Sequence, residues 1–281
     1  MSKKPKISII TSVYNGENYL EQTVLSVLNQ SYDNIEYIII DGNSTDKSPD
    51  IIKKHEERLK FWVSEPDKGI YNAWNKALKH VSGDWIVFIG ADDYWKNSEV
   101  IANMVPYLNE AEYNKTHYVY GKIEHITPQG KLVEVSGKPW IEQKSRFTYI
   151  MNIGHSGSFH HKTLFETHGQ FDDSFKITGD YEFLLREFKN PDKDALFVNE
   201  TTLSMREGGV SASLKNRYKV VKESKKARKL NKITSFSKEL AVWEIRILFI
   251  TVLSSIFGHS FATKVADLYR KILGKEKRWS N

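Results

Sequence analysis

The first hundred residues alternate between short apolar runs and amphipathic helical stretches, and this alternation limits the chain to few folds. Between the apolar runs, apolar residues recur at helical spacing over residues 18–30, 45–57 and 70–81. The runs themselves predict four strands, which are Ile7 to Val13, Glu36 to Ile40, Phe61 to Val63 and Trp85 to Ile89. Strands and helices that alternate at this spacing form βαβ units, with a mostly parallel sheet and right-handed crossovers. The sequence therefore predicts an α/β fold.

The pattern becomes less regular after about residue 97. One helix is predicted over residues 99–108 and another after Asp180, and strand-like runs recur near residues 118–120, 131–135, 158–159 and 195–198. A chain of 281 residues has room for one large α/β domain, or for such a domain with a small appendage. The chain has no cysteine, which excludes disulfides, thiolate metal sites and a cysteine nucleophile.

The net charge of +6 indicates an anionic partner, which is nucleic acid, a membrane surface or an anionic substrate. Glu223 is the single acid in residues 215–232, a segment rich in Lys and Arg. An apolar stretch follows from Leu240 to Phe257, but its longest uncharged part starts only at Ile247, so we expect no transmembrane span. Two interpretations stay open: contact with a surface rich in anionic lipid, or a C-terminal helix packed on the core with a solvated basic face.

Two adjacent carboxylates, Asp92 and Asp93, come directly after the fourth predicted strand. Open α/β sheets bind their ligands at the C-terminal ends of the strands, which is where this pair is expected to lie. Two hard oxygen donors side by side suit Mg²⁺ or Mn²⁺, ions that usually bind through one or two carboxylates and the phosphates of a substrate. The alternative is a loop in which the two residues turn the chain or cap the next helix.

Three further polar residues follow strands at the same predicted edge, namely Asp41, Asp67 and Lys68. An ionised carboxylate only accepts hydrogen bonds, so Asp41 suits the donor edge of a nucleobase. Its alternative role is an Asx turn or a cap for the following helix, although Ser44 or Asp46 could supply that cap instead. Neither GxGxxG nor GxxxxGK[ST] follows the first strand, which argues against a dinucleotide site or a P-loop.

Four blocks of the sequence, in their order and spacing, resemble one family of enzymes. The blocks are ISIITSVYNGENYLEQTVLSVLNQSYDNIEYIIIDGNSTDKS, EPDKGIYNAWNKALKHVSGDWIVFIGADD, FDDSFKITGDYEFLLR and REGGVS. Together they resemble the family-two inverting glycosyltransferases, and within that family the bacterial members that build O-antigen and capsular polysaccharide. The resemblance runs from Lys6 to about Ser211 and leaves out residues 212–281.

This resemblance implies a GT-A fold, in which a nucleotide-binding half over about residues 1–96 and an acceptor-binding half over about residues 97–211 share one continuous, mostly parallel mixed sheet. Residues 212–281 are then a basic, amphipathic and helical C-terminal extension. The resemblance also implies a transfer that inverts the anomeric centre of a sugar from a nucleotide-sugar donor, with uracil as the common base. Mn²⁺ or Mg²⁺ is the implied cofactor.

Carried over residue by residue, the resemblance gives roles to positions of this chain. Asp180 matches the general base, Asp93 the cation ligand, and Asp92 a position near the ribose and the metal. Thr11, Val13 and Tyr14 match residues that line the nucleotide pocket. Asp41 matches the carboxylate that reads the base, and Lys68 matches the basic or polar position that approaches the donor. The alternative for Asp180 is an N-cap or first-turn acid of the helix that follows it.

Two positions depart from the family pattern. Gly90 stands where many relatives have the first acid of the DxD motif, and Gly179 precedes Asp180 where relatives often have Glu. The aspartate doublet and the base are nevertheless present. His155 and Arg206 are further candidates for contact with the diphosphate or the acceptor, and a structural role is the alternative for each.

We expect the acceptor to be a saccharide, or a polyprenyl-linked saccharide at the inner face of the plasma membrane, used in the biosynthesis of a surface polysaccharide. The N-terminal segment has no apolar signal region, which indicates a cytoplasmic protein. The alternative function is a catalytically inactive GT-A module that binds a nucleotide or a glycan. A nucleic-acid partner is not expected, because it explains the basic segment but none of the acidic residues at the strand ends.

Overall fold

The computed structural model describes residues 4–208 and 214–272. Its strands are β1 Ile7–Val13, β2 Ile35–Asp41, β3 Phe61–Ser64, β4 Trp85–Gly90, β5 Tyr94–Trp95, β6 Tyr118–Ile126, β7 Leu132–Ser136, β8 Phe159–His161 and β9 Leu196–Arg206. Its α-helices are α1 Leu20–Leu28, α2 Ser48–Lys54, α3 Ile70–Ala77, α4 Val100–Tyr113, α5 Trp140–Phe147, α6 Lys162–His168, α7 Gly179–Phe188, α8 Leu214–Leu230, α9 Lys238–Phe257 and α10 His259–Ile272.

Across the described ranges, the strands form one mixed sheet in the order β3-β2-β1-β4-β8-β6-β9-β5, with β7 paired to β6. The first four strands of this order are parallel, which confirms the predicted α/β fold. β8 is antiparallel to both β4 and β6, whereas β6 and β9 are parallel to each other. The chain order reverses direction between β1 and β4, and open α/β sheets bind their ligands outside the strand ends at such a point.

The parallel strands are covered on both faces, which explains why their sequences are apolar throughout. On one face Ile10 and Phe88 pack in a core with side chains of α3, α5 and α7. On the other face Ile9 and Val87 pack with side chains of α1, α2 and α4. Side chains alternate between the two faces along a strand, so the strand register decides which residues of β1 and β4 reach the helices on each side.

The second half of the chain differs most from the prediction. β6 and β9 reach Ile126 and Arg206, well beyond the apolar runs that predicted them, because they pair in parallel from Val119 and Leu196 to these ends. β5, α5 and α6 were not predicted, since each is a short element with 2, 8 and 7 residues. The extension of β9 matters for function because it carries Arg206 to the ends of the parallel strands.

The C-terminal helices pack in different ways. α8 lies against α7 and buries Val220, Val221 and Ala227, so the basic segment is a helix that packs on the core. α9 has a mean hydropathy of 1.9, and 11% of its most apolar window is buried. By length and composition it is long and apolar enough to cross a bilayer, the one such helix among the residues that the structure describes. The sequence did not predict a helix of this length, because charged residues interrupt the apolar stretch before Ile247.

A candidate active site at the ends of the parallel strands

A cleft of about 1100 Å³ lies at the C-terminal ends of β1 and β4. Side chains of α3, α7 and α8 complete its wall together with the loop that precedes β8. Three of the predicted acidic residues line it, namely Asp92, Asp93 and Asp180. The sheet and α7 therefore bring together carboxylates that are far apart in the sequence.

The aspartate doublet is held by contacts from three other elements. The Ser156 hydroxyl donates to Asp93 Oδ2 at 2.7 Å, and the Arg206 main-chain N–H donates to Asp93 Oδ1 at 3.2 Å. Thr23 of α1 donates its hydroxyl to the Asp93 carbonyl oxygen at 2.7 Å. The alternative role of a simple turn does not account for so many contacts to the Asp93 side chain and main chain.

The electrostatics of the doublet favour a bound cation. Asp93 is 4% exposed, and its burial, together with the neighbouring Asp92 charge, raises its pKa to about 7. Burial also raises the pKa of Asp92. The Arg206 guanidinium donates to the Asp92 carbonyl oxygen and to the Gln22 side chain and not to either carboxylate. Its charge acts to lower the pKa of Asp92, but burial outweighs it. A divalent ion would relieve both the desolvation and the mutual repulsion.

The donor set fits a hard cation that also binds a substrate. In residues 4–208 and 214–272 no group of three or more His, Cys, Asp or Glu side chains is placed to hold a metal. Two carboxylates with the other ligands supplied by phosphate and water is the usual arrangement for Mg²⁺. A Cβ atom at Gly90 would lie 2.9 Å from Asp93 Oδ2, so the missing first acid of the motif leaves room for the doublet in this conformation.

Asp180 lies near the start of α7 and faces the cleft. The Tyr71 hydroxyl of α3 donates to Asp180 Oδ1 at 3.1 Å and to the Ile177 carbonyl at 2.7 Å. Burial raises the pKa of Asp180 to about 6, although hydrogen bonds from the Tyr181 amide and Tyr71 act to lower it. A carboxyl group with such a pKa is ionised at neutral pH and is still basic enough to accept a proton.

The packing around residue 179 explains why this chain has glycine where relatives often have Glu. A Cβ atom there would lie between 2.8 and 3.0 Å from three ring atoms of Tyr71. Tyr71 is 2% exposed and packs against Trp74 and Phe171, so its ring has little room to move. The glycine therefore lets the Tyr71 ring approach the start of α7 and reach the Asp180 carboxylate with its hydroxyl.

The predicted nucleotide contacts are only partly found at the cleft. Val13 and Tyr14 line it, and Tyr14 is 68% exposed. Thr11 does not line it, because its side chain is on the face of β1 that packs with α1, where its hydroxyl lies 2.9 Å from that of Tyr37. Its predicted place in the pocket is therefore wrong for this structure.

Asp41 is fully buried rather than open to the cleft. Its carboxylate accepts hydrogen bonds from the Ser44 amide at 3.0 Å and from the hydroxyls of Ser44 and Ser64. Asp41 therefore holds the turn that follows β2 through local hydrogen bonds, and its role in reading a base stays a prediction. Asp67 lies at the cleft instead, with its carboxylate against Gly42, where a Cβ atom would be 2.5 Å from Asp67 Oδ2.

The lysines that line the cleft differ from the predicted one. Lys68 is exposed and is not among the lining residues, although its neighbours Asp67 and Gly69 are, and its approach to the donor stays a prediction. Lys176 and Lys219 line the cleft, and the Lys176 amino group donates to the Lys68 carbonyl oxygen. Lys176 lies in the same sequence block as Asp180, and this proximity could have identified it as a residue of the cleft.

His155 lines the cleft as an aromatic wall. Its ring stacks on Trp74, with centroids 5.1 Å apart, and burial lowers its pKa to about 3, so it is neutral at pH 7. Arg206, by contrast, lies behind the doublet, with its guanidinium over the Tyr19 ring at 4.2 Å. These contacts support a structural role for Arg206, which was the alternative to contact with the diphosphate or the acceptor. The sequence did not single out Ser156, although it is the residue next to His155.

The chain matches known proteins over most of the residues that line this cleft, including the aspartate doublet. A family model described as "Glycosyl transferase family 2" matches residues 8–165, which is more than half of the chain. An uncharacterized glycosyltransferase of Haemophilus influenzae is 39% identical over 137 residues. That alignment covers 48% of this chain and 54% of the relative, so the chain spans about half of the relative's length.

Solved structures share the fold at low identity. The structure of S. aureus TarS 1-349 in complex with UDP-GlcNAc has a TM-score of 0.62 and 18% identity, over 89% of this chain and 73% of that one. The mannosyltransferase PcManGT from Pyrobaculum calidifontis, in complex with GDP-Man and Mn²⁺, has a TM-score of 0.61 and 14% identity, over 96% of this chain and 81% of that one. These likenesses support the GT-A fold.

Gly179→Ala is predicted to destabilise the packing of α7 against Tyr71. The added methyl group overlaps the Tyr71 ring, which should lower the free energy of unfolding by about 1–3 kcal/mol. Chemical denaturation of the two proteins measures this change. In a Tyr71→Leu background the same substitution should cost less, and an equal cost in both backgrounds would exclude the ring as the cause.

Proposed function

This chain belongs to glycosyl transferase family 2, the nucleotide-sugar-dependent glycosyltransferases (EC 2.4), and we propose that it transfers a sugar from a UDP-sugar to a saccharide with inversion. One observation carries the proposal: the Asp92–Asp93 doublet and Asp180 line the same cleft. The first supplies a place for the diphosphate of the donor, and the second supplies a base for the acceptor.

The proposed reaction is a single displacement. The acceptor hydroxyl attacks the anomeric carbon, the bond from that carbon to the diphosphate oxygen breaks, and Asp180 accepts the hydroxyl proton. Attack from the face opposite the leaving UDP inverts the configuration, so a UDP-α-sugar gives a β-linked product. Tyr71 orients the base, because its hydroxyl bonds both the Asp180 carboxylate and the main chain just before it.

Asp93, with Asp92, is proposed to hold Mn²⁺ or Mg²⁺. When bound, this ion would stabilise the negative charge that develops on the departing diphosphate. Ser156 and the Arg206 main chain orient the Asp93 carboxylate for that role. The Mn²⁺ in the PcManGT complex and the UDP-GlcNAc in the TarS complex support a donor of this class, although both proteins are distant relatives.

The proposed acceptor is a polyprenyl-linked saccharide of a surface polysaccharide pathway, reached at the inner face of the plasma membrane. α9 exposes large apolar side chains along its length, among them Ile245, Phe249 and Val252. α8, which packs beside α9, exposes lysines that include Lys222 and Lys229. An apolar helix next to a basic one suits a bilayer that contains anionic lipid.

Asp180→Asn is predicted to lower kcat by about 10²–10⁴-fold while leaving donor binding nearly unchanged, because the amide cannot accept the proton. In the wild-type protein kcat/KM should fall as the pH drops below about 6, since protonation of Asp180 removes the base. Asp192→Asn, the same change at an exposed position, is the control. A near-normal rate for Asp180→Asn, or a product with retained configuration by NMR, would refute the mechanism.

Asp93→Asn is predicted to weaken UDP binding in the presence of Mn²⁺ by at least ~10-fold, because the cation loses its main carboxylate. Isothermal titration calorimetry with UDP, with Mn²⁺ or with EDTA, measures the effect without turnover. With EDTA the wild type and the variant should bind UDP alike. A variant that keeps the full response of UDP binding to Mn²⁺ would remove the proposed metal site.

Flotation on liposomes tests the membrane proposal. The protein should float with vesicles that contain phosphatidylglycerol, and the triple variant Ile245→Asn/Phe249→Asn/Val252→Asn should stay in the soluble fraction, because its apolar contact is lost. Lys222→Gln/Lys229→Gln should lower flotation only in the presence of anionic lipid. Equal flotation of all three proteins, or none by the wild type, would contradict the proposal.

A further inference from the structure

Helix α8 lies outside the region that the family model matches, yet it contacts the segment that presents the proposed base. Glu223 of α8 accepts hydrogen bonds from three consecutive main-chain amides, those of Lys176 at 3.0 Å, Ile177 at 2.9 Å and Thr178 at 3.0 Å. Glu223 is 8% exposed and is the single acid of residues 215–232. A buried acid in a basic segment is unusual, and these contacts explain its burial.

The three amides form a concave anion site at the start of α7. Successive main-chain N–H groups that point to one place bind a carboxylate strongly, and the helix dipole favours negative charge at this end. Thr178, at the N-cap position of α7, makes no side-chain cap, and its buried hydroxyl has no hydrogen-bond partner among the described residues. Glu223 therefore satisfies the main-chain donors of the segment that leads into α7, and not the first-turn amides that a Thr178 cap would accept from.

One other helix, α3, also holds this segment. The Tyr71 hydroxyl of α3 bonds the Ile177 carbonyl oxygen, and through the same hydroxyl it reaches Asp180. The segment thus has its amides fixed by α8 and a carbonyl fixed by α3. Asp180 follows this segment after a single residue, so any movement of residues 176–178 moves the carboxylate.

We propose that Glu223 is a positioning residue for Asp180, so that the C-terminal extension completes the active site of the glycosyltransferase. This inference rests on the proposed function, in which Asp180 is the base. Misplacement of a reacting group by about 1 Å costs ~10²-fold in rate. We expect a loss of this size when the hydrogen bonds between Glu223 and the amides of residues 176–178 are removed.

The charge of Glu223 should affect the pH dependence of kcat/KM, which a purely packing role would not do. Burial is the main cause of the raised pKa of Asp180, and the Glu223 carboxylate adds to it. Tyr71 of α3 and Tyr118 of β6 also interact with Asp180, and burial raises the pKa of both well above 10. Lys176 and Lys219 are the cationic side chains that line the same cleft among the described residues. Removal of the Glu223 charge should therefore move the acidic limb of the kcat/KM profile to lower pH.

The test compares Glu223→Gln, Glu223→Asp and Glu244→Gln in the full-length protein. Glu244 of α9 pairs with Lys225, so Glu244→Gln makes the same chemical change in the C-terminal helices away from the base. Glu223→Gln should lower kcat by ~10²-fold with little change in the donor KM, and should shift the acidic limb to lower pH. Glu223→Asp keeps the charge, so its limb should stay at the wild-type pH with a smaller loss of kcat.

Hydrogen exchange gives a readout that does not depend on turnover. The amides of residues 176–178 should exchange faster in both Glu223 variants than in the wild type or in Glu244→Gln. If Glu223→Gln does not fold, the exchange and the kcat of Glu223→Asp decide the question. Glu223 variants with wild-type exchange and wild-type kcat would overturn the inference. If Asp180→Asn keeps its activity, the proposed function fails instead, whatever the Glu223 variants do.

Discussion

Burial of carboxyl groups at one cleft costs free energy, and the surrounding structure must compensate for that cost. Burial raises the pKa of Asp93 to about 7 and that of Asp180 to about 6, so each carboxylate is destabilised unless its surroundings compensate. Hydrogen bonds from Ser156, the Arg206 main chain and Tyr71 give part of that compensation. A cation between the doublet and a diphosphate would give the rest, which links the destabilised site to its proposed ligand.

The sheet brings these groups together by its topology. β1 and β4 are adjacent and parallel, so the residues that follow them meet at one edge. β9 crosses from the far side of the sheet to place Arg206 behind the doublet, and α7 presents Asp180 from a helix that packs on α3 and α8. The site therefore depends on contacts between residues up to 184 positions apart, such as that of the Arg206 guanidinium with the Gln22 side chain.

The sequence predicted the parallel half of the fold well, because strands covered on both faces must be apolar and such runs are easy to recognise. It also placed Asp92, Asp93 and Asp180 at one cleft. It misplaced Thr11, since the alternation of side chains along β1 puts this residue on the face that packs with α1. It could not show that Asp41 accepts hydrogen bonds from Ser44 and Ser64, or that Glu223 binds the amides just before α7, because these contacts arise only in the folded chain.

The account depends most on a shared cleft in which the doublet receives the donor diphosphate while Asp180 faces the anomeric carbon. A crystal structure of the protein with Mn²⁺ and a non-hydrolysable UDP-sugar tests this directly. The account predicts the ion on Asp93, bridging to the diphosphate, and the anomeric carbon on the side of the cleft where Asp180 lies. A donor bound elsewhere, or an Asp180 carboxylate turned away from the sugar, would contradict it.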